Sequence, residues 1–216
     1  MLIPKVCLMS FYEPSITEFV FLLNMWFIAG NTQWFYFSVR GAIESQTVRF
    51  NIANNSKNDS LFNYGMRPVV FSKKECEKGG VGWHRAGVNV TYFRGIESSI
   101  FTPSGKKLKR QYYVASFEYT FRHSGDTVYF AYGRPYPYSR LCRLLRALCS
   151  DQSVRPFFRC RSLCKTLAGN YCYLATITAP TTCIEELKTR RAVILSARIH
   201  PGEACASWIM EVSDIC

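Results

Sequence analysis

The sequence RAVILSARIHPGEACASWIMEV, residues 191–212, decides the fold predicted for the second half of the chain. Its first part, 192–197, is an unbroken apolar run rich in aliphatic and β-branched residues, which is typical of a strand buried on both faces. A polar turn follows at 200–203, and residues 204–210 combine good helix formers with apolar residues at helical spacing. The segment therefore predicts a strand, a turn and a helix, the junction at which open α/β folds place their chemistry.

The turn carries two side chains that are ordinary zinc ligands. His200 offers an imidazole nitrogen and Glu203 offers a carboxylate, three residues apart. Pro201 and Gly202 favour a tight turn, so both side chains could point toward one position. A histidine and a glutamate at a strand end are also common as a plain polar cap. The H-x-x-E spacing alone does not decide between these two interpretations.

Composition and charge limit the class of protein. A chain of 216 residues that is 48% hydrophobic and 15% aromatic is globular and can hold one large or two modest domains. Its ten cysteines follow no regular spacing and no convincing signal peptide precedes them, which predicts reduced thiols and a cytoplasmic protein. The net charge of +12 favours acidic partners, whether nucleic acid, anionic lipid or acidic peptide tails.

Residues 1–30 form an atypical lead-in. The apolar run at 19–29 contains Asn24 and is much shorter than the roughly 20 residues that a membrane-spanning helix needs. Glu13 and Glu18 precede it, where a signal peptide would carry basic residues. Membrane binding is therefore not expected.

Residues 31–135 have the pattern of an antiparallel β-sandwich. Short stretches of alternating aromatic and β-branched residues are separated by turns that contain glycine, asparagine or serine. The predicted strands are 33–39, 47–52, 69–71, 83–85, 88–93, 112–121 and 127–132.

Residues 136–216 begin after a proline-rich boundary. Their sequence predicts a helix, a β-hairpin and a polar link before the strand at 192–197. Ser139 is a plausible N-cap for a helix over 140–149, in which four leucines recur at helical spacing. The opposite face carries Arg140, Arg143 and Arg146; such a basic helix could bind membrane or RNA, but a packed surface helix is favoured. Strands at 157–165 and 171–178 are joined by a hairpin turn at Gly169-Asn170, and a short polar link follows Pro180.

The most concentrated basic cluster, Lys106, Lys107, Lys109 and Arg110, is predicted to lie on an exposed loop. A solvated loop is the default interpretation, and a docking site for acidic tails or RNA is the alternative. No RRM, KH or zinc-finger signature accompanies it, which weighs against nucleic acid as a partner.

The remaining candidate metal ligands favour ordinary structural roles. Cys160, Cys164 and Cys172 do not form a paired C-x-x-C framework, so buried thiols are favoured over a structural zinc site. His84 and His123 lie in the β part of the sequence and are expected to be surface or turn histidines.

The segment SARIHPGEACASWIM, 196–210, resembles the zinc-binding segment of the cytosolic carboxypeptidases, a branch of the M14 metallocarboxypeptidases that shortens polyglutamate chains on tubulin and similar proteins. Four earlier phrases resemble the β-sandwich that precedes the catalytic domain in that family, in the same order. These are NTQWFYFSV at 31–39, SLFNYGMRPVVFS at 60–72, GWHRAGVNVTYFR at 82–94 and DTVYFAYGRPYPYS at 126–139. Four ordered phrases are far more specific than H-x-x-E.

The resemblance implies a mixed β and α/β fold, in which an N-terminal antiparallel β-sandwich at 31–135 precedes the truncated beginning of an α/β zinc carboxypeptidase domain at 136–216. It implies one Zn²⁺ ion, with His200 and Glu203 as two of its three protein ligands. It also implies glutamylated protein tails, such as those of tubulin, as partners.

The residues after Glu203 contain no counterpart of the family's third ligand, substrate-binding arginines or general-base glutamate. We therefore assign no catalytic residue and expect an amino-terminal fragment with an incomplete zinc site and no peptidase activity of its own. The alternative is a non-catalytic β-sandwich module that binds acidic tails or partner proteins through its basic cluster.

Overall fold

The computed structural model describes residues 8–12, 17–21, 34–101 and 107–213. Among them the chain divides into two compact units between Pro135 and Tyr136. The first unit contains β1 (Leu8–Tyr12), β2 (Thr17–Phe21), β3 (Tyr36–Arg40), β4 (Thr47–Asn55), a 3-10 helix (Leu61–Tyr64), β5 (Val69–Ser72), α1 (Lys73–Glu77), β6 (His84–Arg85), β7 (Val88–Phe101), β8 (Lys107–Thr120) and β9 (Thr127–Ala131). The second contains α2 (Tyr138–Ser150), β10 (Phe158–Lys165), β11 (Tyr171–Ile177), α3 (Ile184–Thr189) and α4 (Ala204–Ser213).

The first unit is a β-sandwich, as predicted. One sheet has the strand order β1-β2-β4-β8-β7 and the other has the order β3-β9-β5-β6. The pairs formed by β3 to β9 are antiparallel, whereas β2 pairs with β4 in parallel. Strands β1 and β2 come from the region predicted to be an atypical lead-in, and the rest of its apolar run, 22–29, lies outside the described residues.

Aromatic side chains from both sheets fill the core. Residues at alternate positions of β4, β8 and β9 face inward, as the pleat of a strand requires. Phe130 on β9 is fully buried, and its ring centre lies 4.9 Å from that of Phe50 on β4 and 5.1 Å from that of Tyr119 on β8. The same ring stacks on Phe37 of β3 at 5.2 Å. Phe130 therefore joins the two sheets at the centre of the sandwich.

A buried carboxylate connects three strands of the larger sheet. Glu118 on β8 lies directly opposite Arg49 on β4, whose Nε and Nη2 donate to Oε1 of Glu118 at 3.0 and 2.7 Å. The side-chain amide of Asn89 on β7 donates to the other carboxylate oxygen at 2.7 Å. The hydrogen bond from Arg49 lowers the pKa of Glu118, although burial opposes that shift.

The three described residues of the basic cluster lie on a strand, not on a loop as predicted. Lys107, Lys109 and Arg110 belong to β8, while Lys106 lies outside the described residues. Lys109 pairs with Glu97 of β7 at 3.0 Å, and the guanidinium of Arg110 lies 5.6 Å from the ring centre of Tyr112. Antiparallel pairing with the end of β7, from Ser98 to Phe101, extends the strand further than its polar sequence suggested.

The second unit contains the predicted helix and hairpin, but the N-cap of the helix differs from the predicted one. Helix α2 begins at Tyr138, directly after Pro137, so Ser139 lies in its first turn and is not the N-cap. Strands β10 and β11 pair in antiparallel orientation. Gly169 has a φ of 78°, the left-handed conformation that this hairpin turn requires.

Two helical segments differ from the sequence expectation. The predicted polar link contains α3, whose six residues are too few to show a hydrophobic period. Lys188 pairs with Glu185, and Arg190 pairs with Glu186. Helix α4 includes the predicted 204–210 but continues to Ser213, although the sequence from Glu211 onward looked unlike a helix.

The predicted buried strand at 192–197 is wrong. These residues form no regular element, and Val193, Ile194 and Leu195 are 83%, 91% and 63% exposed. A buried strand needs hydrogen-bonded neighbours on both sides. None of the described strands pairs with this segment.

Within the described ranges, no helix is long and apolar enough to cross a membrane.

We expect Phe130→Ala to lower the free energy of unfolding of the β-sandwich by about 3–5 kcal/mol, because it opens a cavity between the two sheets. Phe93→Ala is the matched control, since Phe93 is 48% exposed, and it should cost about 1 kcal/mol or less. Urea denaturation followed by circular dichroism measures both. Equal effects of the two substitutions would contradict the central role of Phe130.

We expect the stability of the sandwich to fall on acidification in a manner that depends on Glu118. Its pKa in the folded state is below that of an unfolded glutamate, about 4.3, so protonation favours unfolding. The contribution is complete well above that value and is lost as the pH falls through the lower folded pKa.

Glu118→Gln should be less stable at neutral pH by about 1–2 kcal/mol, because a charged hydrogen bond is lost, and its stability should depend less on pH below about 5. The measurement is the urea midpoint between neutral and acidic pH. Glu97→Gln, at an exposed ion pair, is the control. An unchanged acid profile in Glu118→Gln would contradict the assignment.

Candidate metal centre

The turn that contains the predicted ligands is a compact bend directly before α4. The backbone N–H of Glu203 donates to the carbonyl of His200 at 3.0 Å, and the N–H of Ala204 donates to the carbonyl of Gly202 at 3.0 Å. His200 and Glu203 are both exposed. The bend thus brings the backbones of the two predicted ligands together and leaves both side chains accessible.

Arg198, two residues before His200, stabilises this turn through its side chain. Its Nη2 donates to the carbonyl of Pro201 at 2.7 Å, and its backbone has a φ of 62°, a left-handed conformation that is uncommon outside glycine. Burial lowers the pKa of the Arg198 guanidinium, and the nearby thiol of Cys205 opposes that shift. This role could not be predicted from the sequence, because an arginine near a turn is too common to serve as a signal.

Helix α4 is fixed to α2 by a partly buried ion pair. Nε of Arg140 donates to Oε2 of Glu211 at 2.9 Å, and its Nη2 donates to Oε1 at 2.5 Å. The guanidinium also lies 4.4 Å from the ring centre of Trp208, which packs edge-on against Tyr136 at 5.0 Å. A two-point hydrogen bond with stacking is the geometry for which arginine is suited.

Arg140 therefore has a different role from the one predicted. The sequence predicts it on the face opposite the leucines, together with Arg143 and Arg146. Its side chain faces α4 instead, while Arg143 and Arg146 are exposed. The hydrogen bond with Glu211 raises the pKa of Arg140, against the effect of burial. Its position four residues before Leu144 was the available signal, because both then lie on one side of the helix.

The described residues contain no group of three or more His, Cys, Asp and Glu side chains that could hold a metal ion. His84 and His123 are engaged within the β-sandwich: Nδ1 of His84 is 2.8 Å from the carbonyl of Gly82, and Nε2 of His123 is 2.5 Å from Oε1 of Glu75. The hydrogen bond with His123 lowers the pKa of Glu75.

The two side chains at the turn are of the types that bind zinc. An imidazole nitrogen and a carboxylate oxygen are typical zinc ligands, and both side chains are accessible on one short bend. A catalytic zinc site uses three protein ligands, and the structure describes no third one beside these two.

Several sequences are similar to this chain over most of its length, although no protein-family model matches it. Cytosolic carboxypeptidase 2 of Danio rerio is 42% identical over 182 residues, which cover 84% of this chain and 24% of the relative. Cytosolic carboxypeptidase 2 of Xenopus tropicalis is 35% identical over 207 residues, covering 96% and 20%. Cytosolic carboxypeptidase 1 of Homo sapiens is 41% identical over 185 residues, covering 83% and 15%.

The chain is related to the cytosolic carboxypeptidases. The resemblance found in the sequence is thereby confirmed. The chain spans between 15% and 24% of the length of these cytosolic carboxypeptidases.

Solved metallocarboxypeptidases share the fold of this chain. A metallo-carboxypeptidase from Burkholderia cenocepacia has a TM-score of 0.61 at 20% identity, covering 96% of this chain and 44% of that chain. A metallo-carboxypeptidase from Pseudomonas aeruginosa, in complex with (2-guanidinoethylmercapto)succinic acid, has a TM-score of 0.55 at 18% identity, covering 97% and 46%. The mixed β and α/β fold class is confirmed.

We expect Arg140→Ala to destabilise the second unit by about 1–2 kcal/mol, because it leaves the buried carboxylate of Glu211 without its charged partner. Arg140→Lys should recover part of this loss, since an ammonium group cannot reproduce the two-point contact. Arg143→Ala, at an exposed position of the same helix, should stay within about 0.5 kcal/mol of wild type.

Thermal unfolding and the fluorescence of Trp208 measure these effects, with the other tryptophans replaced by phenylalanine. Equal losses from Arg140→Ala and Arg143→Ala would contradict the role given to the ion pair.

Proposed function

We propose that this chain supplies two zinc ligands, His200 and Glu203, of a metallocarboxypeptidase site that removes glutamate from acidic protein tails. Support comes chiefly from the bend before α4, where an imidazole and a carboxylate are both accessible within a segment that resembles the family's zinc-binding segment. The partners proposed are glutamylated tails such as those of tubulin, and the proposed compartment is the cytoplasm, in line with the names of the relatives.

The residues of this chain would hold and orient the ion. His200 would bind through a neutral ring nitrogen and Glu203 through its carboxylate, while Arg198 maintains the bend by its hydrogen bond to Pro201. When bound, zinc lowers the pKa of a coordinated water and polarises the carbonyl group of the substrate.

The charge of the chain supports an acidic substrate. The net charge is +12, and Arg143 and Arg146 are exposed on α2 in the same unit as the proposed ligands. Such a surface attracts glutamate-rich tails at a distance and weakens with added salt. Charge supports the substrate class and carries no information on chain length or branch points.

We further propose that the 216-residue polypeptide has no peptidase activity by itself. Two protein ligands hold zinc weakly, and peptide hydrolysis also needs a group that transfers a proton to the leaving amine. Release of glutamate from a polyglutamylated peptide by the purified polypeptide would overturn this proposal.

We expect the purified chain to bind Zn²⁺ weakly through nitrogen and oxygen at the bend. His200→Ala combined with Glu203→Gln should weaken zinc binding at this site by about ten-fold or more, because each ligand removed also removes chelation. X-ray absorption at the zinc edge separates nitrogen and oxygen ligands from the sulfur of the cysteines, and a chelator competition gives the affinity.

His84→Ala is the matched control, since it removes a histidine whose ring bonds within the β-sandwich. Loss of zinc binding in His84→Ala, or no change in the double variant, would contradict the assignment. Circular dichroism establishes that each variant is folded.

A second variant, compared with the zinc-ligand variant, tests the alternative of a non-catalytic module that binds acidic tails. Lys109 already pairs with Glu97, and Arg110 lies over Tyr112, which leaves less of the basic cluster available to a partner. Binding of a polyglutamylated peptide that is abolished by replacing Lys107, Lys109 and Arg110 with alanine, but unchanged in the zinc-ligand variant, would favour the module.

A further inference from the structure

Two thiols face each other across the hairpin of the second unit. Cys164 on β10 lies directly opposite Cys172 on β11, and both residues are exposed and unoxidised. Directly opposed residues of an antiparallel pair have Cα atoms about 4.5 or 5.5 Å apart. Either separation falls within the range of about 4.4–6.8 Å that a disulfide bond requires. The backbone is therefore already arranged for a bond between these two sulfur atoms.

A β-bulge keeps a third cysteine away from this pair. Cys160 lies opposite Ala175, and the register of the strands shifts between Ser162 and Cys164. The partners on β11, Ala175 and Cys172, are three residues apart and so lie on opposite faces of the hairpin. Cys160 consequently faces away from Cys164 and lies near Cys149 instead. Three thiols do not converge here, which argues for a two-thiol reaction and against a metal site.

The surroundings of Cys172 suit it to the slower step of such a reaction. Partial burial of its sulfur raises the pKa of the Cys172 thiol, and the charge and hydrogen bonding of Cys164 raise it further. A raised pKa leaves less of Cys172 as thiolate, which is consistent with the role of the second thiol. The hydrogen bond also shows that the two side chains are in contact as well as in register.

We propose that Cys164 and Cys172 form a reversible, peroxide-responsive disulfide that fixes the β10–β11 hairpin. The Cys164 thiolate attacks hydrogen peroxide, the O–O bond breaks, and a sulfenic acid and hydroxide form. The sulfur of Cys172 then attacks the sulfenic sulfur, releasing a second hydroxide and its own proton. In sum, two thiols and one peroxide give one disulfide and two waters, and a small-molecule thiol reverses the change.

The hairpin is connected to the helix that holds α4. The hydroxyl of Tyr138, at the start of α2, accepts from the backbone N–H of Tyr171 at 3.0 Å and donates to its carbonyl at 3.2 Å. Tyr171 is adjacent to Cys172. Arg140, two residues after Tyr138 on α2, binds Glu211 of α4. A disulfide between Cys164 and Cys172 would restrain β11, the strand to which Tyr138 in the first turn of α2 is hydrogen-bonded.

The test uses the whole 216-residue chain, reduced and then treated with a small excess of hydrogen peroxide at neutral pH. Free thiols are alkylated, and peptide mass spectrometry measures each cysteine. We expect a peptide pair joined through Cys164 and Cys172, and a loss of alkylation at both that exceeds the loss at Cys183 by about ten-fold. Cys183 is the internal control, because it is exposed and lies in a different element, at the N-cap of α3.

Two variants separate this pair from the neighbouring thiols. Cys164→Ser should abolish the hairpin disulfide and leave Cys172 open to alkylation, whereas the double variant Cys149→Ser with Cys160→Ser should form it as wild type does. Treatment with reduced glutathione should restore alkylation. Oxidation of Cys164 no faster than that of Cys183, or preferential pairing with Cys160, would overturn the proposal.

Amide hydrogen exchange tests the restraint itself. Exchange of the backbone amides of β11 should become slower by about ten-fold in the oxidised chain, since a cross-strand bond limits opening of the hairpin. Identical exchange in the oxidised and reduced chains would contradict the proposed restraint even if the disulfide forms.

Discussion

The ion pair between Arg140 and Glu211 is the contact on which the second unit depends. It joins the first helix of that unit to the last one, across a stretch of chain that otherwise contributes a two-stranded hairpin and a six-residue helix. Stacking on Trp208 completes the contact. Because α4 starts directly after the bend that holds His200 and Glu203, the position of the proposed ligands follows from how well this pair anchors the helix.

The first unit is stabilised by a different kind of interaction. Its core is mainly aromatic, and rings of β3, β4 and β8 converge on Phe130 of β9. Large rings bury much apolar area with few rotatable bonds, so a small number of them can hold two sheets together. A charged network at Glu118 then links three strands of one sheet, which adds a pH-sensitive component to an otherwise hydrophobic structure.

The sequence predicted most of the elements because their signals were local. Alternation identified the strands of the sandwich, and Gly169-Asn170 identified the turn of the hairpin. The errors arose where distant residues decide the outcome. The apolar run at 192–197 reads as a buried strand, but burial depends on neighbouring strands that the run itself does not specify. Arg140 was assigned to the basic face of its helix because its partner lies 71 residues further along the chain.

Part of the candidate site could be predicted from the sequence. The ligand types and the tight bend followed from the residues at 200–203, and the bend is present. The bracing role of Arg198 was not accessible, because it depends on a left-handed backbone conformation at a non-glycine residue. The opposition of Cys164 and Cys172 was also hidden, since a single bulge changes which cysteines share a face of the hairpin.

The exposed run Val193, Ile194 and Leu195 has a consequence for how the polypeptide behaves in concentrated solution. Its side chains are apolar, and no described strand uses its backbone N–H and carbonyl groups. Such a segment templates pairing with a strand of another molecule, and identical copies are the strands most available in a purified sample. Self-association at high concentration is the expected consequence, and charged substitutions at these three residues would oppose it while leaving both cores intact.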